Sequence, residues 1–256
     1  MIPRLYIDAP LETGAAAPLS EAQAHYLKNV LRRSAGDEAR LFNGHDGEFA
    51  AAIAELKKKG GVVAVKGKTR EQEIEPELAL YFAPVKRGPL ETIIQKATEI
   101  GVARLCPVIT ERTVAPKMNV ERLQAIAIEA AEQSGRLTVP SVDDPMKLAR
   151  LLDAWPEGRR LLFCDEAGDD EREEWGGREG RATPVLEALK DMDSKAGGWA
   201  VLTGPEGGFT PEERMVLRSK TFVTPATLGP RILRADTAAI AALTLWQAAL
   251  GDWRNS

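Results

Sequence analysis

The pattern of apolar and polar positions changes character near residue 75. Before that point, short alternating runs predict β-strands over 4–7, 39–42, 48–56 and 62–66, with glycine turns between them. One helix is expected over 21–33, because Ser20 can cap it and Gln23 stands at the capping-box spacing. Several short strands joined by glycine turns are typical of a small barrel.

After residue 75, apolar runs of strand length alternate with helical segments. We predict strands over 78–85, 104–109, 160–164, 199–203 and 221–228. We predict helices over 90–100, 120–134, 145–153, 184–192, 211–219 and 235–249. This alternation indicates an α/β domain with a mostly parallel sheet. The charged stretch 68–77 predicts a boundary, which divides the chain into domains 1–74 and 75–256.

Cysteine content and hydropathy exclude several classes of protein. Cys106 and Cys164 are the two cysteines and stand 58 positions apart, which excludes a disulfide scaffold and a CxxC zinc site. Neither a membrane-spanning apolar run of about 18–20 residues nor a secretion signal is present, so we expect a cytoplasmic protein with no membrane partner.

Negative charge is concentrated in one segment of the chain. Residues 165–180, the acidic segment, hold eight acids and two arginines, whereas residues 1–74 have a net charge of +1. The overall net charge of −4 therefore neither favours nor excludes an anionic partner. The glycine-rich acidic segment is expected to be a mobile surface loop.

The scarcity of histidine limits the chemistry of the second domain. The histidines are His25 and His45, so residues 75–256 cannot build a Ser–His–Asp or Cys–His arrangement. No metal site is expected. Chemistry there must use carboxylates, basic side chains, backbone donors or a cofactor that carries the reactive group.

Two segments each join a predicted strand to a predicted helix. The first, 202–213, has three glycines within five residues, and either a tight turn or a ligand loop fits them. At its end, Thr210 and Glu213 stand at the capping-box spacing. The second, 228–238, places Arg231 and Arg234 beside a Gly-Pro turn, which favours an anion site over solvated arginines. Neither matches the GxxxxGK[ST] or GxGxxG phosphate fingerprints, which disfavours an ordinary nucleotide-binding enzyme.

Two further groups of polar residues are weaker candidates. Lys86 and Arg87 follow the first predicted strand of the parallel sheet, where such sheets place ligands. Glu129, Glu132 and Gln133 share one face of a predicted helix, which fits an ordinary exposed face as well as a site.

In its motifs the chain resembles the bacterial RsmE-type 16S ribosomal RNA uridine N3-methyltransferases of the SPOUT superfamily. The resemblance rests on Gly-Pro-Glu-Gly-Gly-Phe at 204–209 and Leu-Gly-Pro-Arg-Ile-Leu-Arg at 228–234, with matches at 93–102 and 129–136. The two C-terminal motifs, in that order and spacing, carry most of its specificity.

The resemblance implies a fold, a cofactor and partners. The second domain would be a SPOUT domain with a deep trefoil knot, an exception to the rule that chains do not thread loops. The first domain would be a PUA-like barrel that helps hold RNA. The chain would form a homodimer, bind S-adenosyl-L-methionine and act on 16S ribosomal RNA or the small ribosomal subunit. The implied cofactor residues are Leu202, Thr203, Gly204, Gly208, Leu228, Gly229, Ile232, Leu233 and Arg234.

Methylation of uracil N3 adds two requirements. The uridine must be unpaired or flipped out, because N3 lies on the Watson–Crick edge. Charge that develops on the uracil needs a donor, for which Arg231 is the first candidate, while Glu206 either accepts the proton or holds its loop. The basic residues expected to contact RNA phosphates are Lys28, Arg32, Arg33, Lys86, Arg87, Lys96, Arg112 and Arg136. The alternative hypothesis is a non-catalytic RNA-binding or ribosome-assembly protein.

Overall fold

A computed structural model describes residues 2–114, 118–170, 172–193 and 197–255. The chain divides into two compact units. The first unit contains Met1–Ile74 and Ile128–Val139, and the second contains Glu75–Ala127 and Pro140–Ser256.

The first unit is built on a five-stranded sheet in the order β1-β3-β4-β5-β2. Its strands are β1 Arg4–Tyr6, β2 Ala16–Leu19, β3 Glu38–Phe42, β4 Glu48–Lys57 and β5 Gly60–Arg70. β1 pairs in parallel with β3, and the other pairs are antiparallel. The sequence pattern missed β2, an edge strand that contains a proline. It also ended the last strand at residue 66, whereas β5 continues to Arg70, inside the expected boundary stretch.

The helix of the first unit is shorter than predicted. α1 spans Glu21–His25 and continues as a π-helical turn over Tyr26–Val30, so helical structure stops before the predicted end at residue 33. Arg32 has a φ of 54°, a left-handed conformation that no helix can include. The predicted capping box is confirmed, because Ser20 Oγ accepts the Gln23 backbone N–H at 3.2 Å.

The second unit contains a parallel sheet, as predicted. Its strands are β6 Leu78–Phe82, β7 Arg104–Ile109, β8 Ser141–Val142, β9 Met146–Lys147, β10 Arg160–Cys164, β11 Trp199–Thr203 and β12 Val223–Ala226. The sheet order is β12-β10-β11-β6-β7-β8, and β9 pairs with β7. The central strands are buried along their whole length, which explains their continuous apolar runs.

Helices connect these strands. They are α2 Arg87–Ile100, α3 Val120–Ser134, α4 Leu148–Asp153, α5 Val185–Leu189, α6 Pro211–Arg218 and α7 Ala235–Ala249. α4 begins later than predicted because the two residues before it are extended and pair with β7. In the described part of the chain, no helix combines the length and the apolar character needed to cross a membrane.

The sheet order determines what surrounds β10. β10 lies between β11 and β12, and all three run parallel. Their carboxyl ends therefore meet at one edge of the sheet, where open parallel sheets bind ligands. Both glycine segments leave the sheet at this edge.

Candidate functional site

The first glycine loop joins β11 to α6 and has a fixed conformation. Gly208 has a φ of +68°, and a Cβ added to Gly204 would lie 2.6 Å from the Phe209 ring. The predicted capping box at its end is confirmed, because Thr210 Oγ1 accepts the Glu213 N–H at 3.2 Å while Glu213 Oε2 accepts the Thr210 N–H at 3.0 Å. The capping box thus fixes where the first glycine loop ends and α6 begins.

The second loop joins β12 to α7. Gly229 has a φ of +127°, which favours glycine at this position. Arg231 is exposed, Ile232 is 37% exposed and Leu233 is partly buried. Arg234 occupies the N-cap position of α7 with an extended backbone, and its side chain makes no capping bond.

Sequence reasoning missed the two residues that follow β10. Glu166 Oε2 accepts a hydrogen bond from Thr227 Oγ1, and Glu166 Oε1 accepts one from the Leu228 N–H, both at 2.7 Å. Burial of the carboxyl raises the pKa of Glu166, while these two donors oppose that rise. Glu166 therefore holds the start of the second loop.

Its neighbour Asp165 binds the helix that follows the first loop. The Asp165 carboxylate is buried and accepts from Arg214 Nε at 2.8 Å and from Arg218 Nε at 2.7 Å. Arg214 also donates to the backbone carbonyls of Ala167 and Gly168, at 2.7 and 2.8 Å. The expectation of a surface loop is therefore wrong for the start of the acidic segment, which is anchored to α6.

The remainder of the acidic segment folds back on itself. The Gly168 N–H donates to the Trp175 carbonyl at 2.9 Å, and the Asp169 N–H donates to the Glu179 carbonyl at 2.8 Å. This places the indole of Trp175 next to Gly208, where an added Cβ would lie 2.9 Å from the ring. An aromatic side chain of the acidic segment thus packs against the first glycine loop.

A cleft of about 910 Å³ lies between the two loops and the acidic segment. Of the predicted cofactor and catalytic residues, those that line it are Thr203, Gly204, Glu206, Gly208, Ile232 and Leu233. The others lie beside it in the same strands and loops: Leu202, Leu228, Gly229, Arg231 and Arg234. The two glycine segments therefore form one site, although the cleft wall does not include every residue proposed for it.

One buried polar atom points to a ligand in this cleft. Thr203 is 1% exposed and lines the cleft, and its Oγ1 has no hydrogen-bond partner within the described ranges. A buried hydroxyl without a partner is costly, and a ligand with polar groups would satisfy it.

Among the predicted RNA-contacting residues, Arg112 and Arg136 donate hydrogen bonds within the protein. Arg112 lines the cleft, and its Nη1 donates to the Gly207 carbonyl at 3.0 Å. Arg136, in the first unit, is 9% exposed, and its Nε donates to Thr138 Oγ1 at 2.8 Å. Arg112 thus supports the first loop, and burial leaves Arg136 little access to a phosphate.

The other six basic residues are at least partly exposed. Lys28, Arg32 and Arg33 lie in the first unit, just before and after the end of the π-helical turn. Lys86, Arg87 and Lys96 lie at the start of α2 or within it. Arg87 pairs with Glu91 at 2.8 Å and Lys96 with Glu99 at 2.9 Å, so neither cation is fully available to a phosphate.

The acidic face predicted on α3 contains one unusual group. Glu129 and Gln133 are exposed, whereas the Glu132 carboxylate is partly buried and accepts the Tyr6 backbone N–H at 2.9 Å. Burial is the main cause that raises the pKa of Glu132 to about 7, and Glu129 adds repulsion. These contacts lie within the first unit, so Glu132 has a structural role there.

The chain matches two family models that agree with this architecture. Residues 72–247 match the RNA methyltransferase domain, and residues 19–66 match the RNA methyltransferase PUA domain. The ribosomal RNA small subunit methyltransferase E of Rickettsia conorii is 34% identical over 241 residues, which cover 94% of this chain and 93% of that protein.

Solved structures show the same similarity. The ribosomal RNA small subunit methyltransferase E of Neisseria gonorrhoeae, bound to S-adenosyl methionine, superposes with a TM-score of 0.84 at 28% identity and covers 99% of this chain and 100% of its own. A Legionella pneumophila protein described as a methyltransferase in complex with the cofactor SAM gives a TM-score of 0.78 at 31% identity, with 98% and 99% coverage. The two-loop cleft and these matches together show that the chain belongs to the family of RNA methyltransferases that includes the ribosomal RNA small subunit methyltransferase E proteins.

Proposed function

We propose that this protein transfers a methyl group from S-adenosyl-L-methionine to N3 of a uridine in 16S ribosomal RNA of the small subunit. The observation that carries the proposal is the single cleft between the two glycine loops, at the carboxyl ends of β11 and β12. Its volume falls within the range of small-molecule sites. The names of the relatives supply the substrate class.

The residues of the cleft fit this cofactor. Gly204 and Gly208 let the backbone approach a ligand closely, and Thr203 Oγ1 offers an unused hydrogen-bonding group. Ile232 and Leu233 supply apolar surface on the opposite loop. When bound, the cofactor supplies an electrophilic methyl group on a sulfonium.

The protein's own side chains would position the uracil and handle its proton. The protein must hold uracil N3 in line with the methyl group and help its proton leave. We assign the role of proton acceptor to Glu206, which is exposed and lines the cleft. We assign Arg231, an exposed residue next to the cleft-lining Ile232, to stabilise charge on the oxygens of the bound base.

Binding of the RNA is assigned to basic residues of both units that are at least partly exposed. Lys28, Arg32 and Arg33 would contact phosphates from the PUA-like unit, and Lys86, Arg87 and Lys96 from the methyltransferase unit. We assign Arg112 to the cleft itself. We also propose domain limits of 1–74 and 75–256, a trefoil knot at the cleft, a homodimer and a cytoplasmic location.

The decisive experiment is mass spectrometry of 16S ribosomal RNA from strains with and without the gene. We expect 3-methyluridine to disappear on deletion and to return with the wild-type gene. Unchanged 3-methyluridine would favour the alternative, an RNA-binding or ribosome-assembly protein without catalysis.

Two variants separate chemistry from cofactor binding. Arg231→Ala and Glu206→Gln should each lower the rate of methyl transfer about 10²-fold or more, while the dissociation constant for S-adenosylmethionine changes less than threefold. Glu212→Gln, an exposed carboxylate on α6, is the matched control. If either variant loses cofactor affinity to the same extent as rate, its residue belongs to the cofactor site instead.

A further inference from the structure

The acidic segment forms one wall of the cleft, and this wall is negatively charged. The segment contributes Asp165, Glu166, Asp169, Asp170 and Glu173 to the lining, together with the indole of Trp175.

Arginines neutralise only part of this wall. Arg214 and Arg218 pair with Asp165, and Arg214 reaches Asp169 at 3.1 Å. Asp170 and Glu173 are exposed and have no ion pair with these two arginines. The Asp170 carboxylate accepts the Arg172 backbone N–H at 3.0 Å, a bond that leaves its negative charge in place. The cleft therefore keeps an excess of negative charge that these two arginines do not neutralise.

A negative wall distinguishes the two forms of the proposed cofactor. The methyl donor carries a sulfonium as well as an amino-acid group with both charges, whereas the demethylated product has a neutral thioether. The donor is therefore more positive than the product, and the surrounding atoms are otherwise the same. A negative field stabilises the cation and does little for the neutral molecule.

We propose that the acidic segment, through Asp170 and Glu173, makes the cleft prefer the cationic methyl donor over its neutral demethylated product. The inference rests on the proposed function, since it needs that cofactor in that cleft. An independent sign that a ligand binds in this cleft is the Thr203 hydroxyl, which lines the cleft, is 1% exposed and has no hydrogen-bond partner in the described part of the chain. The segment would thus let the methyl donor outcompete the product for the cleft, while the affinity for the product itself stays unchanged.

The size of the effect follows from distance and screening. A unit charge about 10 Å from the sulfonium changes affinity about twofold in a water-like dielectric. Two carboxylates together would therefore change it about fourfold without screening, and about two- to threefold in about 20 mM salt, where the Debye length is about 20 Å. Since the Debye length falls from about 30 Å at 0.01 M to below 10 Å above 0.15 M salt, the preference should shrink as salt is added.

The experiment is calorimetric titration of the full-length protein with three ligands. They are S-adenosylmethionine, neutral S-adenosylhomocysteine, and sinefungin, an analogue in which an amine supplies the positive charge. The test variant is Asp170→Asn with Glu173→Gln. The control is Glu174→Gln with Glu179→Gln, which removes two exposed charges of the same segment that do not line the cleft.

The proposal predicts a charge-specific pattern. The test variant should bind S-adenosylmethionine and sinefungin about two- to threefold more weakly in about 20 mM salt, with S-adenosylhomocysteine changed less than 1.5-fold, and the control should match wild type. Equal weakening of all three ligands, no change in any, or an equal shift in the control would overturn it. If wild-type protein binds none of the three, the proposed function itself fails.

Discussion

Removing the charge of Asp165 tests whether the acidic segment is anchored as described. Its carboxylate is 2% exposed and accepts Nε–H bonds from two arginines, of which Arg214 is 8% exposed. Asp165→Asn preserves the shape of the side chain but leaves both guanidinium groups without their shared counter-charge. Breaking a buried pair costs about 3–5 kcal/mol. Because Arg214 keeps Asp169 and two carbonyls as partners, we expect a loss near 3 kcal/mol.

Thermal and urea unfolding measure this loss. For a protein of this size, about 3 kcal/mol corresponds to a melting temperature lower by about 6–12 °C. The variant should also bind S-adenosylmethionine more weakly, because the segment that carries Trp175 loses its attachment to α6. Asp170→Asn makes the same chemical change at an exposed site of the same segment and should stay within about 0.5 kcal/mol of wild type.

A double-mutant cycle identifies the cause. Asp165→Asn and Arg214→Met should show a coupling energy of about 1–3 kcal/mol, since the two side chains are in direct contact. A loss below about 1 kcal/mol in the single variant, or no coupling in the cycle, would refute the anchoring of the segment by this ion pair.

Three further predictions follow from single contacts. Glu132 has a folded pKa of about 7 against 4.5 unfolded, so its contribution to stability is present below pH 4.5 and is lost as the pH rises to 7. In the wild type, the free energy of unfolding measured with urea should therefore fall by about 3 kcal/mol over that pH range, and Glu132→Gln should remove this fall. An unchanged profile in the variant would contradict the assignment. Glu166→Ala should weaken S-adenosylmethionine binding about tenfold by calorimetry, because the second loop loses its hydrogen-bond acceptor. Glu166→Gln retains an acceptor for the loop N–H and should stay within about threefold of wild type. Equal effects of the two variants would show that the hydrogen bonds that Glu166 accepts from the loop do not determine cofactor affinity. Gly208→Ala should lower cofactor affinity because it forces both a strained φ and a clash with Trp175, whereas a Cβ at Gly207 meets nothing closer than 3.6 Å; similar affinities for Gly207→Ala and Gly208→Ala would count against the packing described.

Features encoded by neighbouring residues were predictable from the sequence. Both capping boxes, at Ser20 and Thr210, depend on residues three positions apart and are present as expected. The strands β6, β7, β10, β11 and β12 of the parallel sheet were also predicted, since buried strands have continuous apolar runs, whereas the two-residue strands β8 and β9 were missed. Local signals failed where tertiary pairing decides, as for Ala16–Leu19, an edge strand held by β5.

The anchoring of the cleft was not predictable, because its contacts join residues far apart in the chain. Asp165 meets Arg214 across 49 positions, and Glu166 meets Leu228 across 62. In the sequence both carboxylates look like the beginning of an acidic, glycine-rich stretch, a composition typical of solvated loops. The one available signal was their place directly after a predicted parallel strand, where ligand sites lie.

The sheet order explains why the acidic segment can contact both glycine loops. β10 precedes β11 and β12 in the chain but lies between them in the sheet, so the first residues after β10 have a loop on either side. Asp165 turns to the helix behind one loop and Glu166 to the start of the other. Acidic residues added after β7 would instead emerge beside β6 and β8, away from both loops. Charge at the cleft therefore depends on which strand precedes the acidic segment, and the exposed carboxylates beyond residue 169 can vary without disturbing the two contacts that hold the loops together.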